Sequence, residues 1–194
     1  MCWVVAGDAG DPFDFVARAS IGVETGAGTR CTRRTRGGQA MKPELHRIDA
    51  ATPPWMPVAF AETGIARYGA GRSNPRIVEY NGATNLAGYD DKISWCSSFA
   101  NWCMTRAGLA GTGSALARSW LDWGRELAEP VYGCIAVLMR DDPNSWKGHV
   151  GFYLRHEGDS IVLFGGNQLD EVRELAYPRA ELLAYRWPHE MQGR

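Results

Sequence analysis

Ser94-Trp95-Cys96-Ser97-Ser98-Phe99-Ala100-Asn101-Trp102-Cys103-Met104-Thr105-Arg106-Ala107 is the stretch on which the fold turns. Counted from Cys96, the apolar residues Phe99, Ala100, Cys103, Met104 and Ala107 recur at helical spacing and make one continuous face. Ser97, Asn101 and Thr105 form a polar stripe beside it. Ser94 fits an N-cap and Gly108 a C-terminal stop. The pattern predicts a helix packed lengthwise into a core, with a thiol in its first turn.

That position matters because the thiolate is the nucleophile, and a helix N-terminus favours an anion through its unpaired N–H groups. It is not sufficient alone. Bringing a thiol from roughly 8.5 down to about 5 takes on the order of 5 kcal/mol, and a helix end supplies at most about 2 kcal/mol. A cationic partner is needed, and histidine is the usual one.

Downstream, Ser114 to Leu127 reads as a further helix, with Leu116, Trp120, Trp123 and Leu127 on one side. After Pro130 come short strand-like runs: Tyr132–Met139, Val150–Arg155, Ser160–Phe164, Glu171–Ala176 and Leu182–Trp187. Their connections are too short for helical crossovers, so the sheet should be antiparallel, with about five strands. Upstream, helices are expected over Val58–Tyr68 and from Pro75, followed by a loop from Gly82 to Ile93. Asp90 and Asp91 in that loop lack a calcium-site pattern and read as an exposed acidic turn. Helices first and strands second make an α+β domain over residues 51–190. Residues 1–50 read as a tail, or as sequence upstream of a start at Met41, since organised sequence begins only beyond that methionine. The arginines at 30, 33, 34 and 36 read as solvated tail charges.

Composition excludes several classes. A net charge of -1 gives no general attraction to nucleic acid or anionic lipid. No apolar run approaches the roughly 18 residues of a membrane helix, and the first residues lack the basic-then-apolar pattern of a Sec signal. The five cysteines are odd in number and include no Cys-x-x-Cys pair, which argues against a disulfide framework or structural zinc. Cys96 and Cys103 lie about 10 Å apart along one helix, too far to bridge. No metal or organic cofactor is expected.

His149 opens the second long strand-like run, and Gly165-Gly166-Asn167-Gln168 follows the third. Asn167 lies 167 − 149 = 18 residues beyond His149, the length of one hairpin. Adjacent antiparallel strands would set an amide beside the imidazole. One helix would then supply a thiol, one strand a base and the next an orienting group, the generalised triad arrangement. Asn167 is the expected third member and Gln168 its alternative, because neighbouring residues of an extended strand point to opposite sides.

With those residues in place, a resemblance follows. Trp95-Cys96-Ser97-Ser98-Phe99-Ala100-Asn101-Trp102, Gly111-Thr112-Gly113, Ala117-Arg118-Ser119-Trp120, Gly148-His149-Val150-Gly151-Phe152-Tyr153 and Gly165-Gly166-Asn167-Gln168 resemble the papain-like peptidoglycan hydrolases of the CHAP and NlpC type. CHAP stands for cysteine, histidine-dependent amidohydrolase/peptidase. The likeness runs over roughly residues 53–188. It implies a papain-like fold in which the nucleophile helix packs on the sheet, with Cys96 as nucleophile, His149 as base and Asn167 or Gln168 as the polar third member. Where such enzymes commonly carry Gly-Asp before the first strand, this chain has Gly133-Cys134.

The expected reaction is hydrolysis of amide bonds in cell-wall stem peptides, with Trp95, Ser119 and Trp146 as candidate groove residues. Wall remodelling, phage lysis and delivery as an antibacterial toxin all fit, and a toxin would imply an immunity protein. The expected route is synthesis in the cytoplasm and delivery to the periplasm or wall by lysis or a secretion system. Two other readings fit the same residues: a cysteine protease or acyltransferase acting on protein, and a wall-binding module without catalysis.

Overall fold

The structure, a computed structural model, describes residues 52–69 and 71–191. The expected tail, its arginines and Met41 lie outside the described residues. Three α-helices come first: α1 (Trp55–Phe60), α2 (Pro75–Asn81) and α3 (Cys96–Arg106). A 3-10 helix over Ala117–Asp122 leads to six strands: β1 (Arg125–Leu127), β2 (Ile135–Met139), β3 (Gly148–Glu157), β4 (Ser160–Gln168), β5 (Glu171–Pro178) and β6 (Leu182–Trp187). The sheet order is β1-β6-β2-β3-β4-β5, antiparallel throughout. This is the expected α+β arrangement, compatible with a papain-like fold.

The expected central helix is α3, and it is more central than its pattern implied. Every residue from Cys96 to Met104 is buried, the polar stripe included. Those polar groups find backbone partners in the loop that follows. Ser97 Oγ donates to the Ser114 carbonyl at 2.7 Å, Asn101 Nδ2 donates to the Ser97 and Ser114 carbonyls, and Asn101 Oδ1 accepts the Gly113 N–H at 2.8 Å. Trp120 Nε1 donates to Ser97 Oγ at 2.9 Å. A buried amide with unmade bonds would cost about 1–3 kcal/mol, so this stripe fastens residues 111–120 to the helix. The apolar side meets the sheet through Phe99, which packs on Phe152.

Two helix expectations were too long. The Val58–Tyr68 pattern gives α1 only to Phe60. Gly64 then turns at φ 84, and residues 64–67 run beside the edge of β5, with Gly64 and Val172 exchanging bonds with Val172 and Ile65. The Ser114–Leu127 pattern breaks into the 3-10 turn and strand β1. Gly124, at φ 59, leaves no room for a side chain against the Trp187 carbonyl, and Arg125–Leu127 pair with β6 instead. Trp120 and Trp123, read as one helix face, pack edge to face on each other at 4.8 Å. Helix α2 starts as read, with Asn74 Oδ1 accepting the Arg76 N–H before Pro75 at N1.

The Asp90–Asp91 turn departs from expectation. Asp91 is fully buried, and its Oδ2 accepts the backbone N–H groups of Tyr68 and Asn74. Nearby, Glu62 is buried on Arg76, which forks onto it at 2.7 and 2.6 Å while Tyr80 donates to the same carboxylate at 2.6 Å. These bonds hold Glu62, Tyr68 and the Asp90–Asp91 turn around the start of α2.

The face of the sheet away from α3 carries a second apolar cluster: Cys134, Ala136, Leu138, Tyr153, Ile161, Leu163 and Tyr185. Cys134, standing where a carboxylate was expected by resemblance, is fully buried there, and burial pushes its thiol up to about 12. No α-helix packs on this cluster among the described residues. The sheet covers the face by curling: Tyr177 near the end of β5 stacks on His149 of β3. In a flat sheet those residues would stand far apart, because Tyr177 pairs with Ile161 and Ile161 with His156, seven residues along from His149.

Candidate active site

Cys96 sits at the start of α3 with 3% of its surface exposed, and His149 is the second residue of β3. The structure brings the two together, as the order along the chain predicts. Burial alone would raise the thiol. The hydrogen bond and charge of His149, with smaller contributions from the Ser94 hydroxyl and the Val150 N–H, outweigh burial and bring it from 9.0 down to about 7. Cys103, two turns along the same helix, is pushed well up by burial, with Glu62 adding to the rise and Arg76 only partly opposing it. What separates the two thiols is the direct hydrogen bond that Cys96 makes with His149.

The amide on the imidazole belongs to Gln168, the alternative, and not to Asn167. His149 Nε2 stands 3.2 Å from Gln168 Oε1, while Gln168 Nε2 donates to the carbonyls of Leu163 and Arg173. With its N–H groups committed to carbonyls, the amide turns its oxygen to the ring. Nε2 must therefore carry the ring proton in the neutral state, which leaves the Nδ1 lone pair for the thiol. The correction has a backbone cause. Asn167 adopts φ 58, and the β4–β5 register slips by one residue between Gly165 and Gln168. One inserted residue reverses which face each following side chain occupies, so Gln168 takes the face that spacing assigned to Asn167. Asn167 instead donates to Ser94 Oγ at 3.2 Å.

The three groove candidates separate. Trp95 is fully buried, tilted against Tyr80 with centroids 5.9 Å apart, and a side chain at Gly166 would collide with it. It is a core residue, because the turn preceding α3 points it inward. Ser119 is half-buried and donates to Thr112 Oγ1 and the Leu116 carbonyl, within the scaffold. Trp146 is 71% exposed, on the loop before His149.

Three neighbours escaped the sequence reading. Tyr177 stacks on the imidazole with centroids 5.1 Å apart and planes 30° off parallel. Arg118 donates to the carbonyls of Lys147, Pro143 and Asp142 at 2.7, 2.7 and 3.1 Å, fastening the loop that delivers His149. Glu181, whose carboxyl burial raises and whose attraction to His149 and Arg140 partly restores, lies on the imidazole side. Arg118 was visible in the Ala117-Arg118-Ser119-Trp120 run, but its carbonyl partners are backbone and leave no pattern.

A family comparison bears on this arrangement. Residues 88–167 match the CHAP domain. The CHAP match contains Cys96, His149 and Asn167 and stops one residue before Gln168. It bears out the expected likeness to peptidoglycan hydrolases of the cysteine, histidine-dependent amidohydrolase/peptidase kind. No curated protein matches the chain. Among the described residues, no helix is long and apolar enough to cross a membrane, and no group of three or more His, Cys, Asp or Glu side chains is placed to hold a metal ion.

Proposed function

We propose that the protein hydrolyses amide bonds in the peptide portion of bacterial cell-wall peptidoglycan through a covalent cysteine intermediate. The observation that carries the reading is the buried thiol at the start of α3, lowered to about 7 beside an imidazole whose tautomer Gln168 determines. Cys96 Sγ attacks the amide carbonyl and forms a tetrahedral adduct whose oxyanion lies near the unpaired N–H groups of the first helical turn. His149, protonated by the thiol, passes that proton to the departing amine. The imidazole then takes a proton from water as the water attacks the thioester, and the acid leaves with Cys96 restored as thiol. Gln168 acts through the ring it orients, and Trp146 stands exposed on the loop before His149, where it can meet the substrate. Substrate class rests on the CHAP likeness; the nucleophilic chemistry rests on the geometry.

The test is mass spectrometry of purified peptidoglycan from several wall chemotypes, incubated with the parent protein and with Cys96→Ala. New fragments that depend on Cys96 are expected, and their masses name the bond. A folded, reduced protein that releases none from any wall would overturn the wall-hydrolase reading and direct the search to protein acyl substrates.

A further inference from the structure

The two neighbouring amides of the β4 end finish on the two halves of the site. Gln168 holds His149, as described. Asn167 reaches across to the segment before α3, where its Nδ2 donates to Ser94 Oγ at 3.2 Å, and that oxygen lies 3.9 Å from Cys96 Sγ. The direction of the chain of bonds follows from the donor inventory. An amide N–H2 only donates, so Ser94 Oγ receives from Asn167, and its single O–H remains free to point at sulfur.

Resting on the reading of Cys96 as nucleophile, we infer that Asn167 and Ser94 are positioning residues: Asn167 orients the Ser94 hydroxyl to donate to the Cys96 thiolate. The backbone makes the residue choice intelligible. At φ 58 a side chain is strained unless it is asparagine, aspartate or glycine, and of these asparagine alone brings a donor. The same left-handed turn that displaces Asn167 from the imidazole thus aims it at the nucleophile. The titratable groups facing the sulfur are His149 from β3 and Tyr177 from β5, with Glu181 and Arg140 acting on the imidazole side. Ser94 adds an uncharged donor to the sulfur from an exposed position, where water competes.

The test is the pH profile of Cys96 alkylation by iodoacetamide, read by mass spectrometry of the peptide that carries it. Asn167→Gly keeps the left-handed backbone and removes only the amide. Ser94→Ala removes the hydroxyl. For the parent, half-maximal rate is expected near pH 7. Each variant should raise that midpoint by about half to one pH unit, a loss of roughly 2- to 5-fold in thiolate at pH 7. Because the two act in series, the double variant should shift no further than Ser94→Ala alone. Asn167→Asp, which presents only acceptors and adds a negative charge, should shift at least as far as Asn167→Gly, the charge and the redirected hydroxyl acting in one direction.

A midpoint unmoved in Asn167→Gly, or additive shifts in the double variant, would overturn the relay. Cys103 and Cys134 are fully buried, so their labelling reports any variant that fails to fold, and Ser94→Ala, which adds no charge, then carries the test. The readout is the thiol itself and not turnover. An unmoved midpoint in an enzyme that still cuts wall would sink the relay alone, and a moved midpoint without wall cleavage would sink the substrate reading alone.

Discussion

Cys96 stands on a helix buried along nine consecutive residues and gripped on its polar side by a loop, whereas His149 stands at the start of a strand preceded by the exposed run 141–144. The thiol's support is an extended surface, in which many contacts share the load. The imidazole's support consists of individual side chains: Gln168 on one ring nitrogen, Tyr177 on its face and Arg118 behind the loop. Damage to the first support should therefore appear as lost folding, and damage to the second as lost catalysis in a folded protein.

Removing either the thiol or the imidazole is the extreme case. Cys96→Ala and His149→Ala should each lower the rate of peptide release from peptidoglycan by about 10,000-fold or more, with thermal midpoints close to the parent's. In the parent the rate should climb as pH rises through about 7, where the Cys96 thiolate fills. The sign for stability agrees. An acid whose folded value lies below its unfolded one stabilises fully above the unfolded value, near pH 9, and loses that contribution as pH falls through about 7.

Asn101→Ala attacks the thiol's support. It orphans the Gly113 N–H and removes the amide's bonds to the Ser97 and Ser114 carbonyls, and should lower unfolding stability by about 2–4 kcal/mol in denaturant melts while sparing turnover per folded molecule. Loss of turnover at unchanged stability would break the contrast between the two supports. Gln168→Ala attacks the other. It frees the ring to rotate and to change tautomer, and should cost about 10- to 100-fold in kcat with little change in KM.

Arg118→Ala is milder: with three carbonyl contacts gone, amide hydrogen exchange across residues 141–148 should quicken and kcat/KM fall by a few-fold to about 10-fold. Tyr177→Phe should be nearly silent, within about 2-fold in kcat, because the stacked ring and not its hydroxyl meets the imidazole. A large effect would assign the phenol a part in proton transfer.

How much of this was legible in advance depends on whether the signal lay in periodicity or in backbone geometry. The α3 stripe, the Asn74-Pro75 start and the strands from Ile135 onward were readable because side-chain period reports which face is buried. The pairing of Cys96 with His149 was expected from element order, a helix-start cysteine followed by a strand-start histidine, and hairpin length spoke only for the amide beside the imidazole. What periodicity cannot carry is a single residue in the left-handed region. Asn167 at φ 58 reverses the parity of the strand, and with it the choice between two adjacent amides. Trp95 looked like a groove residue because a tryptophan beside a nucleophile is ambiguous until the turn before the helix is known. Ser97 and Asn101 looked like a wet face because polar type was read as exposure. Their burial depends on loop carbonyls 13 or more residues away, to which no residue type corresponds. Arg125–Leu127 became a strand because a distant edge, β6, offered pairing that the local helical pattern could not foresee.

The curl that lays Tyr177 over His149 has a consequence for the life of the chain before it is folded. Gln168 and Tyr177 reach the imidazole only after β4 and β5 have wrapped around β3, and the sulfur feels a cation only once that imidazole is in place. An unfolded copy carries an ordinary thiol near the free value of roughly 8.5, only a few per cent ionised at neutral pH. The lowered thiol thus depends on long-range closure of the sheet, and a molecule without that closure is chemically quieter toward its surroundings.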